Sequence, residues 1–253
     1  MKTLQKDQLN VRILPSRLAL GEAAAADIRA CILRLLAKKP EIHMIFAAAP
    51  SQNETLAALT SYDNIDWTRI NAFHMDEYIG LPEKYRDRSF GQYLNNHIFG
   101  QVPFRSVNRI DCTARDPEAE CARYAALLEA HPIDIVVMGI GENGHIAFND
   151  PWVADFADSH AVKVVALDLV CRRQQVNDGC FPDIDSVPTH AITLTCPTLA
   201  AAEYQFCVVP GATKAEAVRR TLRGSIGPEC PATILRRLPH AALYLDSDSA
   251  ARI

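Results

Sequence analysis

The residues best suited to chemistry fall in one run, Met138-Gly139-Ile140-Gly141-Glu142-Asn143-Gly144-His145-Ile146-Ala147-Phe148-Asn149-Asp150-Pro151. Within eight residues, Asn143, His145 and Asp150 supply one titratable ring and two oxygen-bearing side chains. An imidazole exchanges a proton near neutral pH, and an acceptor on one ring nitrogen fixes the tautomer of the other. A lone histidine is most often a satisfied structural group. One that follows a glycine turn and has orienting partners beside it reads as a catalytic acid or base. The spacing also matches G-x-G-x-x-G, and Asp168 ends the next strand-like run, as a dinucleotide site would require. Against that reading, Asn149-Asp150-Pro151 stops any helix after about one turn, because proline lacks an amide hydrogen and restricts the residue before it.

Three further places offer charge. Asp76 and Glu77 are adjacent in Phe73-His74-Met75-Asp76-Glu77-Tyr78-Ile79-Gly80, and neighbouring side chains in extended backbone point opposite ways. One of the two is therefore a candidate acid or base, and the alternative is a solvated acidic loop. Ser51 and Glu54 have capping-box spacing directly after a strand, which predicts a helix start with free amide hydrogens for an anion, or an ordinary cap. Thr213 and Glu216 repeat that arrangement, and Lys214 then falls in a first helical turn, where its charge opposes the helix dipole by about 0.3–1 kcal/mol. A phosphate or carboxylate at Lys214 would remove that cost.

The elements that must hold these groups are legible in outline. The short β-branched run Ile133–Met138 reads as a buried strand, so the glycine turn leaves a strand's carboxyl end, where open α/β sheets bind ligands. Strands are also expected at Val11–Leu14, at the edge of the sheet, and at 42–48, 70–73, 162–167, 187–195, 204–209 and 241–245. Helices are expected at 17–38, through Leu59, at 90–98, from Asp116-Pro117-Glu118 to Ala130, and from Thr213 to Arg223. Alternating strands and helices imply one α/β domain over residues 1–253, a mostly parallel sheet with helices on both faces.

A chain of 253 residues that is 49% hydrophobic can bury a sizeable core, and its net charge of −4 without a basic cluster excludes a nucleic-acid surface. No apolar segment of membrane length and no leader pattern is visible. Eight cysteines without a C-x-x-C pair read as reduced thiols of a cytoplasmic protein, not as a zinc or disulfide frame. No metal or other cofactor is expected, and a homo-oligomer is compatible with the chain.

The segments Met75–Pro82 and Gly139–Pro151, in that order, resemble the glucosamine-6-phosphate deaminase (isomerase) family, and the likeness continues through Val187–Thr193 and Lys214. Its relative 6-phosphogluconolactonase has a similar glycine-histidine turn but typically carries arginine where Tyr78 stands and lacks the Asn149-Asp150-Pro151 ending. The resemblance implies a modified Rossmann-type fold and metal-independent isomerisation of an amino-sugar 6-phosphate, such as glucosamine or galactosamine 6-phosphate, with release of ammonia. On matching positions, Asp76 would move a proton from sugar C2 to C1. His145 would open the pyranose ring, with Asn143 and Asp150 as orienting groups. Lys214 and the backbone around Ser51 and Gln52 would hold phosphate, with Gly144 also at the substrate. The family commonly has aspartate and glutamate where Asn143 and Asp150 stand, and a Thr-Gly-Gly or Thr-Gly-Ser loop where Ala48-Ala49-Pro50 stands. Its phosphate arginine falls near Asp178 or Gly179, so Arg172 or Arg173 is the candidate substitute on charge. The competing readings are a lactone hydrolase and a sugar-phosphate-binding protein that has lost turnover.

Overall fold

The structure, a computed structural model, describes all 253 residues. The chain begins β1 (Lys2–Lys6), β2 (Leu9–Leu14), α1 (Arg17–Leu36), β3 (Ile42–Phe46), α2 (Asn53–Thr60), β4 (Ile70–His74) and β5 (Asp76–Tyr78). It continues α3 (Phe90–Leu94), β6 (Ser106–Asn108), α4 (Pro117–Ala130), β7 (Ile135–Met138), β8 (Val162–Ala166) and α5 (Leu169–Asn177). It ends β9 (His190–Leu194), α6 (Cys196–Ala200), β10 (Tyr204–Val209), α7 (Ala215–Arg223) and β11 (Ala241–Asp246).

Eight strands form the main sheet in the order β1-β2-β11-β10-β7-β3-β4-β6, parallel except for the β1–β2 hairpin. The central strands are apolar on both sides, as strands covered on both faces must be. In β7, Ile135 and Val137 join one core while Val136 and Met138 join the other; in β3, Met44 and Phe46 separate from Ile45 in the same way. Buried residues of α1 and α2 fill the first layer, and those of α4 and α7 fill the second. Caps set several helix starts. Ser16 accepts from Ala19 N at 3.2 Å before α1, and Asp116 accepts from Glu118 N and Ala119 N at 3.1 Å each before α4.

Three expectations change. Val11–Leu14 belongs to β2, which is interior, because β1 pairs outside it. The strands expected from Val162 and within Val187–Thr195 leave the main sheet and make a separate antiparallel sheet, β5-β9-β8. Alternation along one strand reports that a face is buried but not which strand pairs with it. The two expected capping boxes are also absent. Ser51 and Thr213 lie inside 3-10 turns, Pro50–Gln52 and Ala212–Lys214, with no side-chain cap bond. Glu54 and Glu216 instead pair with Arg17 and with Arg219 and Arg252. No helix is long and apolar enough to cross a membrane.

Candidate active site

Four neighbouring parallel strands, β10, β7, β3 and β4, release their carboxyl ends into one cavity of about 260 Å³. The loop after β3 supplies Ala47 to Ser51, the exit of β4 supplies Met75 and Asp76, the turn after β7 supplies Gly139, Gly141 and His145, and the turn after β10 supplies Pro210 to Lys214. The cavity thus lies at the edge where the crossovers of a parallel sheet leave their crevices.

The glycine turn closes on itself: Gly144 N donates to Gly141 O at 3.0 Å, and Gly141 N donates to His145 O at 2.9 Å. A Cβ at Gly141 would sit 2.1 Å from His145 Nε2, so only glycine leaves the ring its place. Nδ1 of His145 lies 2.9 Å from Asp150 Oδ1, and Asn143 Nδ2 donates to the same oxygen at 2.8 Å. Asn143 Oδ1 accepts from His145 N at 3.0 Å. Asn143 therefore orients Asp150 and the turn and makes no hydrogen bond to the imidazole. The shorter Asp150 reaches the ring by itself. Burial pushes the Asp150 carboxyl up, but the hydrogen bond and charge of His145, with the Asn143 bond, outweigh it and leave its pKa below the ordinary value. Ala147, also on the cavity wall, is held at φ +48° between these groups and Phe148, a conformation uncommon outside glycine.

Asp76 and Glu77 separate as strand alternation requires. Asp76 faces the cavity, buried and without a hydrogen bond from any protein group to its carboxyl. Desolvation, and then the charge of Glu77, hold its pKa well above the carboxylate range. Glu77 turns away and accepts from Tyr78 N at 2.9 Å, Phe90 N at 3.1 Å and Gly91 N at 2.8 Å. Burial raises Glu77 to about 7 against the pull of those three amides. It thereby anchors the start of α3, and Phe90 of that helix stacks on Phe148, centroids 5.5 Å apart, to form the apolar wall.

Lys214 lines the cavity, is 6% exposed and makes no side-chain hydrogen bond or ion pair. Burial lowers its pKa, opposed by the charges of Asp178 and Glu142. Ser51 is also on the wall. Gln52 is not: it is fully buried behind Ser51, with Nε2 donating to Ser51 Oγ at 3.0 Å and to Val208 O at 3.2 Å. Gly144, expected at the substrate, packs against Cys230 and is not among the residues lining the cavity.

Arg172 and Arg173 do not reach the cavity either. One terminal nitrogen of Arg172 donates to Ile184 O at 2.6 Å and Val187 O at 2.9 Å, and Arg173 is exposed. The inner face of α5 runs through Cys171, Gln174 and Gln175 at three- and four-residue steps, with Asp178 at the same step just past its end, which turns positions 172 and 173 away from the cavity. Gln174, Gln175 and Asp178 line the cavity and were missed, although that periodicity was the available signal. Arg17 lines it as well. Asp168, the candidate ribose-binding acid, caps α5 by accepting from Cys171 N at 2.6 Å.

The His145, Asp150 and Cys171 ligand atoms lie within 4.8 Å of one another. His145 and Asp150 already bond each other, and burial keeps the Cys171 thiol well above its usual pKa. The trio is thus a histidine-carboxylate proton dyad backed by a neutral thiol.

A carboxyl group without a donor, an imidazole held by a carboxylate and a buried lysine thus share one cavity of about 260 Å³. The model of the family described as glucosamine-6-phosphate isomerases and 6-phosphogluconolactonases matches residues 15–243. The chain belongs to this family. It is 35% identical over 211 residues to a glucosamine-6-phosphate deaminase of Listeria welshimeri, covering 83% of this chain and 88% of the relative. A Bacillus cereus glucosamine-6-phosphate deaminase is 35% identical over 187 residues, 74% of this chain and 69% of the relative. Among solved structures, a monomeric glucosamine-6-phosphate deaminase matches with a TM-score of 0.85 at 30% identity, covering 96% of this chain and 99% of its own. The 6-phosphogluconolactonase of Trypanosoma brucei, at TM-score 0.76 and 18% identity over the whole of both chains, shares the fold.

Proposed function

We propose that the protein converts an amino-sugar 6-phosphate to the ketose 6-phosphate with release of ammonia. The observation that carries this reading is the placement of Asp76, free of protein donors, on the same cavity as His145, whose Nδ1 is engaged by Asp150. With Asp150 ionised, Nδ1 carries the ring proton and Nε2 is the bare base. Nε2 takes the proton of the C1 hydroxyl and returns it to the ring oxygen, which opens the pyranose. Asp76 then removes the C2 proton while the C2 ammonium gives one proton to O1, which yields an enolamine, and Asp76 delivers the proton it took to C1. The iminium left at C2 is hydrolysed by water to the ketone and ammonia. In the empty cavity burial favours the protonated acid at Asp76, and the C2 ammonium of the arriving substrate shifts it to carboxylate by placing a positive charge beside it. Lys214 and the Ser51 loop at the other strand ends hold the phosphate, and fixing that end brings C1 and C2 to Asp76.

The test is ammonia release from a panel that includes glucosamine 6-phosphate and galactosamine 6-phosphate. Release is expected from at least one, with Asp76→Asn reducing kcat by about 10³-fold or more, on the scale of a lost general base and its charge. No release from any member sinks the reading. Hydrolysis of 6-phosphogluconolactone in its place would assign the family's other activity.

A further inference from the structure

We infer that Arg17 is a substrate-binding residue, the partner of Lys214 in a two-cation clamp on the phosphate group. The inference rests on the amino-sugar phosphate reading above and adds a residue from a distant element, the first turn of α1.

Arg17 is the first residue of α1, immediately after the Ser16 cap, and the first turn contains no acid. A cation there opposes the helix dipole, as Lys214 does one residue before α7. The chain thus places two basic residues at helix starts, where they are least favoured, and both line the same cavity. Gly21, one turn into α1, explains how Arg17 reaches it. A Cβ at Gly21 would fall 2.4 Å from Glu54 Cβ, so α1 packs against α2 more closely than any side chain permits. That approach carries Arg17 to the loop after β3. Its Nε donates to Glu54 Oε1 at 2.7 Å, one terminal nitrogen donates to Pro50 O, and the other terminal nitrogen has no protein partner.

The guanidinium is therefore held in one orientation by Glu54 and the Pro50 carbonyl and keeps N–H donors for a ligand. A planar fork so oriented suits two oxygens of a phosphate, whereas an ammonium acts as a point charge. Lys214 gives the independent observation: a cation 6% exposed and without any hydrogen-bonding or ionic partner on the protein calls for an anion. The cavity's acids are Asp76, which serves the carbon chemistry at the exit of β4, and Asp178, which is exposed and accepts from Gln174 Nε2 at 3.3 Å. Neither forms an ion pair with Arg17 or Lys214.

The experiment compares wild type, Arg17→Gln and Arg17→Lys by calorimetric titration with inorganic phosphate and by kinetics on glucosamine 6-phosphate and unphosphorylated glucosamine. Arg17→Gln is expected to weaken inorganic phosphate and to raise KM for the phosphorylated sugar by about 10- to 100-fold, the range for a charge-assisted hydrogen bond. Its loss on unphosphorylated glucosamine should be smaller than its loss on the phosphorylated sugar, and Arg17→Lys should recover part of the loss. A purely structural role predicts equal losses on both sugars and no recovery by lysine, which overturns the inference. Equal phosphate affinity in wild type and Arg17→Gln, including no measurable binding by either, also overturns it. The titration decides this without turnover, so failure of the clamp is distinguishable from failure of the proposed reaction, which appears as absent ammonia release by wild type.

Discussion

Nδ1 of His145 and Oδ1 of Asp150 lie 2.9 Å apart in a buried pocket, and that same carboxylate oxygen also accepts from Asn143. One oxygen thus fixes both the ring's tautomer and its rotation, while Nε2 is left for the substrate. Asp150→Asn keeps the shape but removes the charge, and the amide can present a donor where the ring needs an acceptor. A fall in kcat of about 10²–10⁴-fold is expected, on the scale of general-base catalysis lost with the wrong tautomer. Near-wild-type kcat in a folded Asp150→Asn variant would remove His145 from the mechanism.

The raised pKa of Asp76 has consequences for both rate and stability. The base acts only when ionised, so kcat/KM, which reports the free enzyme, is expected to rise with pH through a limb above the ordinary carboxylate value of about 3.9. The limb in kcat should lie lower, because bound substrate places its ammonium beside the carboxylate. For stability, an acid whose folded pKa is raised binds its proton more tightly in the folded state. Stability is therefore highest below the unfolded pKa and is lost as pH rises through the folded one. Asp76→Asn removes that loss, so it is expected to raise Tm at neutral pH, by about 2–4 °C per kcal/mol for a chain of this size. The gain should vanish below about pH 4, where both states are protonated. A kcat/KM profile whose acid limb lies at or below the ordinary carboxylate value, or no thermal gain in Asp76→Asn, would contradict the assignment.

The same local rules explain what was legible before the fold and what was not. The β-branched run ending at Met138, followed by glycines, puts His145 at a strand exit, and the dipole argument singles out Lys214, which lines the same cavity. The same argument applies to Arg17, which also stands at a helix start and lines that cavity. Charge alone favours Arg172 and Arg173, whereas the inner face of α5 is set by its helical period. The β5-β9-β8 sheet was hidden because β5 is three residues long and strand pairing is a long-range choice. Glu54 and Glu216 have capping-box spacing, yet Glu54 pairs with Arg17 and Glu216 with Arg252, which come close only in the folded chain, and Glu216 also takes the local Arg219.

Glu77 provides a contrast to its neighbour. Its two oxygens take three backbone amide hydrogens from Tyr78, Phe90 and Gly91. Glu77→Gln aims an amide donor at one or more of them, leaving buried N–H groups unpaired at about 1–3 kcal/mol each. Tm is expected to fall, where Asp76→Asn raises it, and the start of α3 should exchange its amides faster. Unchanged stability and exchange at Phe90 and Gly91 would show that Glu77 does not hold that helix.

Gly141 ties the turn to the chemistry most directly. A methyl group there would lie 2.1 Å from His145 Nε2 and 2.2 Å from Cε1, well inside contact, while the backbone of the turn is already fixed by the Gly144 to Gly141 and Gly141 to His145 hydrogen bonds. The ring is the part able to move, and swinging it breaks its 2.9 Å contact with Asp150. Gly141→Ala is therefore expected to fold and still bind inorganic phosphate, because Lys214 and the Ser51 loop are on other strand exits. Its kcat should fall by about 10²-fold or more, as misplacement of a reacting group by about an ångström does. The Nδ1–H proton resonance of His145 should lose the signature of its Asp150 bond. A Gly141→Ala variant with wild-type kcat and an unaltered Nδ1–H resonance would mean that Nε2 does not occupy this place during turnover.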